Sequence, residues 1–189
     1  MTIEKSLEST LSVPDASMNV RDARDLYLAE NGFTTAEYQN DWGWFNVLGI
    51  RFAVPNSEGR KRGLPLHDLH HVALGYGTDL VGECEVSAWE LRAGLDGFGW
   101  FVKYLVFQTS VLGLLIAPRR TIASWRAARG RRSLYVAPLS NDALMALTVG
   151  ELREHLGVPT RGVATAVPRR HDGADDRRSE GAPLGGEGC

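Results

Sequence analysis

The run Pro65-Leu66-His67-Asp68-Leu69-His70-His71-Val72-Ala73-Leu74 is followed by Gly75-Tyr76-Gly77-Thr78 and then by Asp79-Leu80-Val81-Gly82-Glu83. Its local chemistry reads as a helix, a glycine stop and a second helix. Pro65 suits a first helical turn, where its missing N–H would be unbonded anyway. Gly75 suits a helix end, and the Asp79 carboxylate suits the N-cap of a helix over 80–93. With about 3.6 residues per turn, His67 and His71 share one face one turn apart. Asp68 adds an oxygen beside them, and the turn lets Glu83 fold back toward the pair. His67, Asp68, His71 and Glu83 are therefore a candidate site for one divalent cation. Imidazole nitrogens and carboxylates suit zinc first, and iron, manganese or cobalt also.

Downstream of Glu83, Ser87 and Glu90 lie one and two turns along the same helix, so a polar strip continues from the site. Glu90 is a candidate further ligand, proton donor or solvated acid. His70, which the spacing leaves outside the His67–His71 face, is a candidate proton relay together with Glu90. Residues 98–117 are the most apolar part of the chain, interrupted by Lys103, Gln108, Thr109 and Ser110. A membrane span needs about 20 apolar residues and tolerates a central charge poorly, so a transmembrane helix is rejected. Such a helix is expected to be buried in the domain, in a dimer interface or partly in lipid. Arg119, Arg120, Arg126, Arg129, Arg131 and Arg132 follow with no acid between Pro118 and Ser133. A run of this kind forms a solvated face or binds anions, and Arg119 and Arg120 are candidates for an anionic headgroup or substrate.

Upstream, Asn19 caps an expected helix to residue 30 with Gly32 as its stop, and the Thr34/Glu37 spacing predicts a short helix over 35–40. The aromatic stretch 41–52 is expected to pack in the core, with the wall of an apolar pocket as the sharper reading. Residues 55–63 read as a loop carrying Arg60, Lys61 and Arg62. Near the end, Ser140 or Asn141 opens a short helix, and Thr148 with Glu151 starts a last one over 149–156, stopped by Gly157 and Pro159. Alternation of β-branched residues is scarce. The expectation is a mostly α, single compact helical domain over 19–158, with a flexible leader over 1–18 and a disordered tail over 159–189.

Composition narrows the function classes. The chain has 189 residues, 43% of them hydrophobic, enough for one core. A net charge of -2 gives no reason to expect nucleic acid as partner. Cys84 and Cys189 make no disulfide framework, and no signal peptide is recognisable, so the expected setting is reducing and cytoplasmic. The HD-type phosphohydrolase signature needs a histidine well upstream, and none precedes His67. The HExxH protease pattern fails because Asp follows His67.

The spacing His67-Asp68-Leu69-His70-His71, eleven residues, Glu83 resembles the H-D-x-x-H-x(11)-E motif of the coenzyme Q (ubiquinone) biosynthesis protein 4 family. Gly75, Val81-Gly82-Glu83, Trp89-Glu90 and Glu151-Leu152-Arg153-Glu154-His155-Leu156-Gly157-Val158 are also similar, so the resemblance covers about 20–158. It implies a helical domain, often dimeric and peripheral to membranes, with zinc at the positions matching His67, Asp68, His71 and Glu83. It also implies an apolar or prenylated substrate, contact with the inner face of a membrane, and a role in removing a ring carboxylate and hydroxylating the same carbon, or in organising partner enzymes. Three Lys against eighteen Arg is a bias of GC-rich genomes. Some organisms of that kind use menaquinone, which directs the expectation toward another aromatic or polyketide-like acid of a specialised-metabolite pathway. Two readings follow: a metal-dependent enzyme on an apolar acid, and a non-catalytic lipid-binding scaffold with a structural metal.

Overall fold

The computed structural model describes residues 13–47, 50–136 and 139–164, and the side chains of all of these but 44–47 and 50–52. It is mostly helical, with seven helices and one two-stranded sheet among the described residues. The helix caps explain most boundaries. Asn19 accepts from the Arg21 N–H to open α1 (Val20–Asn31), and Gly32 closes it at φ 71°. Asp79 accepts from the Val81 and Gly82 N–H groups at the head of α3 (Leu80–Ala93). Two capped helices stand at the C-terminal side of the domain. Ser140 caps α6 (Asn141–Ala146), and Thr148 forms a capping box with Glu151 on α7 (Val149–Leu156), which ends at Gly157.

Three expectations are corrected. The segment 55–63 is not wholly loop: α2 runs over Glu58–Leu74, capped by Ser57, so Pro65 sits inside the helix rather than at its start. The segment 35–40 is a 3-10 turn over Thr35–Gln39, and the Thr34 side chain makes no capping hydrogen bond. The aromatic stretch is an antiparallel hairpin, β1 (Trp42–Val47) against β2 (Ile50–Pro55), in register Trp42 to Pro55 and Val47 to Ile50. Trp42 is exposed, not in the core. The rest of the core-packing expectation for that stretch falls largely on side chains outside those described.

Helix α2 lies against α1 and α7, and α3 packs on α2 with one side and on α4 (Trp100–Ile116) and α5 (Pro118–Ala127) with the other. The main core joins Val20, Ala23 and Tyr27 of α1 to Leu69, Val72 and Ala73 of α2, Val86 and Trp89 of α3, and Leu152 and Leu156 of α7. Burial of this apolar surface is the main term that holds the helices together. Gly82 is obligatory here, because a Cβ would lie 2.0 Å from the Gly77 carbonyl oxygen. That contact lets the α2–α3 turn close tightly over the next residue, Glu83.

Arg153, buried on α7, fastens the ends of the domain. Its guanidinium donates to the carbonyls of Ala73 at 3.0 Å, Thr160 at 2.6 Å and Pro14 at 3.1 Å. The expected leader 1–18 and tail 159–189 fall mostly outside the described residues. Within them, 13–18 and 159–164 join the fold through these bonds, through Gly150 N–H on Ala16 O at 2.8 Å, and through Val163 and Ala164 N–H on Leu74 O.

Helix α4 departs from the expectation of burial in the domain. It buries Val106, Ser110 and Gly113, half-buries Phe101, Val102, Leu105 and Leu112, and leaves Trp100, Tyr104, Phe107, Val111, Leu114, Leu115 and Ile116 exposed. No helix among the described residues is long and apolar enough to cross a membrane.

Candidate metal centre

Helix α2 presents His67 and His71 one turn apart, and the turn closed by Gly82 brings Glu83 of α3 over them. The Nε2 atoms of the two histidines are 3.2 Å apart. Glu83 Oε2 stands 3.2 Å from His67 Nε2, and Oε1 stands 3.4 Å from His71 Nε2. One ligand atom from each of the three residues lies within 4.8 Å of the others, a group that could hold one metal ion. Two nitrogens at about 2.0–2.1 Å from a tetrahedral cation stand about 3.3 Å apart, so the pair has the right spacing.

The opposite ring nitrogens fix the tautomers. His71 Nδ1–H donates to the Tyr76 carbonyl at 3.1 Å, which leaves the Nε2 lone pair facing Glu83. His67 Nδ1–H donates to Glu90 Oε1 at 2.9 Å, which orients the second imidazole in the same way. Histidines that bind metal are held by such carbonyl and carboxylate partners, which also raise their basicity. His67 and Glu83 are partly exposed and His71 is buried, so the group opens to solvent on one side.

Glu90 is fully buried beneath His67. Its Oε1 accepts from His67 Nδ1–H, from His70 Nδ1–H at 2.7 Å and from the Tyr135 hydroxyl at 2.8 Å. His70 Nε2 accepts from the Leu134 N–H at 3.1 Å, so His70 is a neutral imidazole with its proton on Nδ1. Both residues are sealed from solvent and both point into the fold. Glu90 anchors His67 directly, and His70 does so through their shared carboxylate oxygen, so the two candidate relay residues stand one hydrogen bond from each other behind the group.

The electrostatics follow. Burial alone would raise the pKa of Glu83 and Glu90, but the neighbouring imidazoles outweigh it and hold both carboxylates well below the usual range. Burial would likewise lower His67, but Glu90 and Glu83 outweigh it and raise its pKa well above the ordinary value. In the metal-free protein a proton on His67 Nε2 therefore stands where a cation would. Burial lowers His70, which agrees with its neutral tautomer. Two ionised carboxylates, Glu83 and Glu90, match the charge of one divalent cation once that proton leaves.

Asp68, expected as a fourth ligand, is placed beside the group rather than in it. Its carboxylate accepts from the Tyr38 hydroxyl at 2.5 Å and faces the Tyr27 hydroxyl at 3.5 Å. Adjacent helical residues point about 100° apart, which turns Asp68 toward α1 and the 35–39 turn. Burial raises its pKa against the opposing pull of His67 and Tyr38. Arg120, expected at an anionic ligand, makes a two-pronged ion pair with Glu85 at 2.9 and 2.6 Å. Glu85 is two residues from Glu83 and so lies on the far side of α3. Arg119 is exposed on α5.

Sequence reasoning missed Tyr27, Tyr38, Tyr135, the Tyr76 carbonyl and the Leu134 N–H. Only Tyr76 carried a signal: it follows the Gly75 stop, where unpaired helix-end groups gather beside His71. The others come from segments 30 to 64 residues away from their partners. No family profile, no curated protein and no solved structure matches the chain.

Proposed function

We propose that the chain is a metal-dependent enzyme acting on an apolar aromatic or polyketide-like acid. The observation that carries this reading is the partly open three-residue group of His67, His71 and Glu83. Three protein ligands leave a tetrahedral cation one free position, as in catalytic zinc sites and unlike closed structural ones. A divalent cation held there supplies Lewis acidity, which favours negative charge developing on a bound substrate. Zinc is the first candidate, and iron, manganese or cobalt suit the same donors.

The chain's own residues support an acidic substrate. Arg60 lies seven residues before His67 on the same face of α2, is buried, and its charge is felt at Glu83. Glu90 and the Tyr76 carbonyl hold the two imidazoles in one orientation, so binding costs little rearrangement. The motif resemblance extends the proposal to a reaction like the oxidative decarboxylation step of ubiquinone biosynthesis, in that pathway or in a specialised-metabolite one. A second reading, a non-catalytic lipid-binding scaffold with a structural metal, draws on the outward apolar face of α4.

Mass spectrometry of compounds that copurify with the wild type and with His71→Ala tests the two together. The enzyme reading expects an apolar acid on the wild type and a folded variant without it. A variant that loses metal and unfolds makes the metal structural.

A further inference from the structure

The arginines that follow α4 are not used alike. Arg120 is neutralised by Glu85, and Arg131 is tied to the carbonyls of Ala127 and Gly157. Arg126 of α5 and Arg129 just beyond it instead line an open cleft of about 480 Å³, together with Trp125 of α5 and Arg92 of α3. None of these three guanidinium groups has an acidic partner among the described residues. From Gly97 to Ser140 the chain contains no Asp or Glu, so α5 brings no acid to the cleft. Arg92 and Arg126 stand in the last turns of their helices, where the macrodipole favours a cation and offsets part of their mutual repulsion. The Arg92 guanidinium lies over the Trp125 ring, 5.0 Å from its centroid. A guanidinium stacked in this way is held flat and keeps the N–H groups of its edge free for an acceptor. Trp125 itself remains 36% exposed, an aromatic surface beside the three charges.

We propose that this cleft is a binding site for a nucleoside diphosphate. Guanidinium groups from α3 and from the end of α5 clamp the diphosphate through paired N–H donors, and the exposed part of Trp125 stacks on the base. Charge selects the diphosphate, because three uncompensated cations complement it better than they complement a single carboxylate. Volume selects an organic ester over a bare phosphate: the cleft falls within the about 300–1,000 Å³ of small-molecule sites. With no acid lining the cleft, no side chain competes for the guanidinium donors or repels the ligand. Arg119, exposed on the first turn of α5, is not part of the lining. The cleft shares no residue with the metal centre.

Isothermal titration of the full chain with ADP, with pyrophosphate and with sulfate, at constant ionic strength, tests the site. ADP and pyrophosphate are expected to bind and sulfate is not, with ADP about tenfold tighter than pyrophosphate through stacking of its base. Arg92→Gln, Arg126→Gln and Arg129→Gln should each weaken both ligands by about tenfold. Trp125→Leu should erase the difference between ADP and pyrophosphate. Helicity and metal content should be unchanged in all of these variants, and Arg119→Gln, the control, should bind as the wild type does. Absence of ADP binding overturns the proposal, and so does equal affinity for ADP and pyrophosphate in the wild type. A loss in Arg119→Gln as large as that in Arg126→Gln would make the binding a diffuse attraction to α5 and overturns it also. Binding of phosphatidylglycerol vesicles in place of the soluble anions would assign the arginines to a lipid and contradict the nucleotide site.

Discussion

The Nε2 atoms of His67 and His71 stand 3.2 Å apart across one turn of α2, each ring turned by a hydrogen bond on its other nitrogen. Two unprotonated nitrogens so close gain nothing from each other. The spacing is accounted for by a cation between them, or by the shared proton that the raised pKa of His67 supplies in its place.

Asp68 distinguishes this geometry from the bare motif. Because its carboxylate faces Tyr38 and Tyr27, Asp68→Asn should lower metal affinity by no more than about tenfold, an effect of the size expected for a neighbour of the ligands. His71→Ala should lower it far more. Competition titration against a chromophoric chelator measures both, and equal losses would put Asp68 among the ligands.

Glu90 collects three donors on one oxygen, so Glu90→Gln removes the charge that orients His67 and places an amide among N–H and O–H groups. The expected loss is about 1–3 kcal/mol of stability and about 10–100-fold in metal affinity. Chemical denaturation and metal titration of the variant check the two effects separately. An unchanged affinity would remove Glu90 from the support of the site.

The pH dependence has opposite signs for the two kinds of group. Glu83 and Glu90 are held below their ordinary value of 4.5, so their contribution to the metal-free fold is present above that pH and fades as pH falls below it. His67 is raised above 6.5, so its contribution is complete below that value and is lost as pH rises through the folded pKa. Metal binding near neutrality must displace the His67 proton. Calorimetry in buffers of different ionisation enthalpy should show about one proton released per cation at pH 7. No release would mean that His67 is already neutral.

Gly82 has no side chain because the Gly77 carbonyl occupies its place. Gly82→Ala puts a Cβ 2.0 Å from that oxygen, so the turn must open and carry Glu83 away from the histidines. A loss of at least about 2 kcal/mol is expected, with weakened metal binding. Thermal melts with and without added metal separate the two, and a wild-type response would mean that the turn relaxes freely.

The legible parts of the sequence were those fixed by neighbours. Asn19, Asp79, Ser140 and the Thr148/Glu151 pair cap their helices through bonds within three residues, and the pairing of His67 with His71 is one helical turn. Pro65 misled because its ring suits a first turn, whereas Ser57 starts α2 eight residues earlier by accepting from the Arg60 N–H. The hairpin carried a period-two signal in Trp42 and Trp44 and in Ile50, Phe52 and Val54, masked by the aromatic density of the stretch. The tyrosines around Asp68 and Glu90 could not be read, since tertiary packing alone brings them there. The outward face of α4 is also a tertiary fact: composition marks the helix as apolar but does not say which side meets α3.

Metal analysis of the chain purified under metal-replete conditions, beside His71→Ala, tests the central claim most directly. About one divalent cation per chain on the wild type and none on the variant is the result expected of a single three-ligand site. A wild type without stoichiometric metal, or a variant that retains it, would contradict the metal centre at His67, His71 and Glu83.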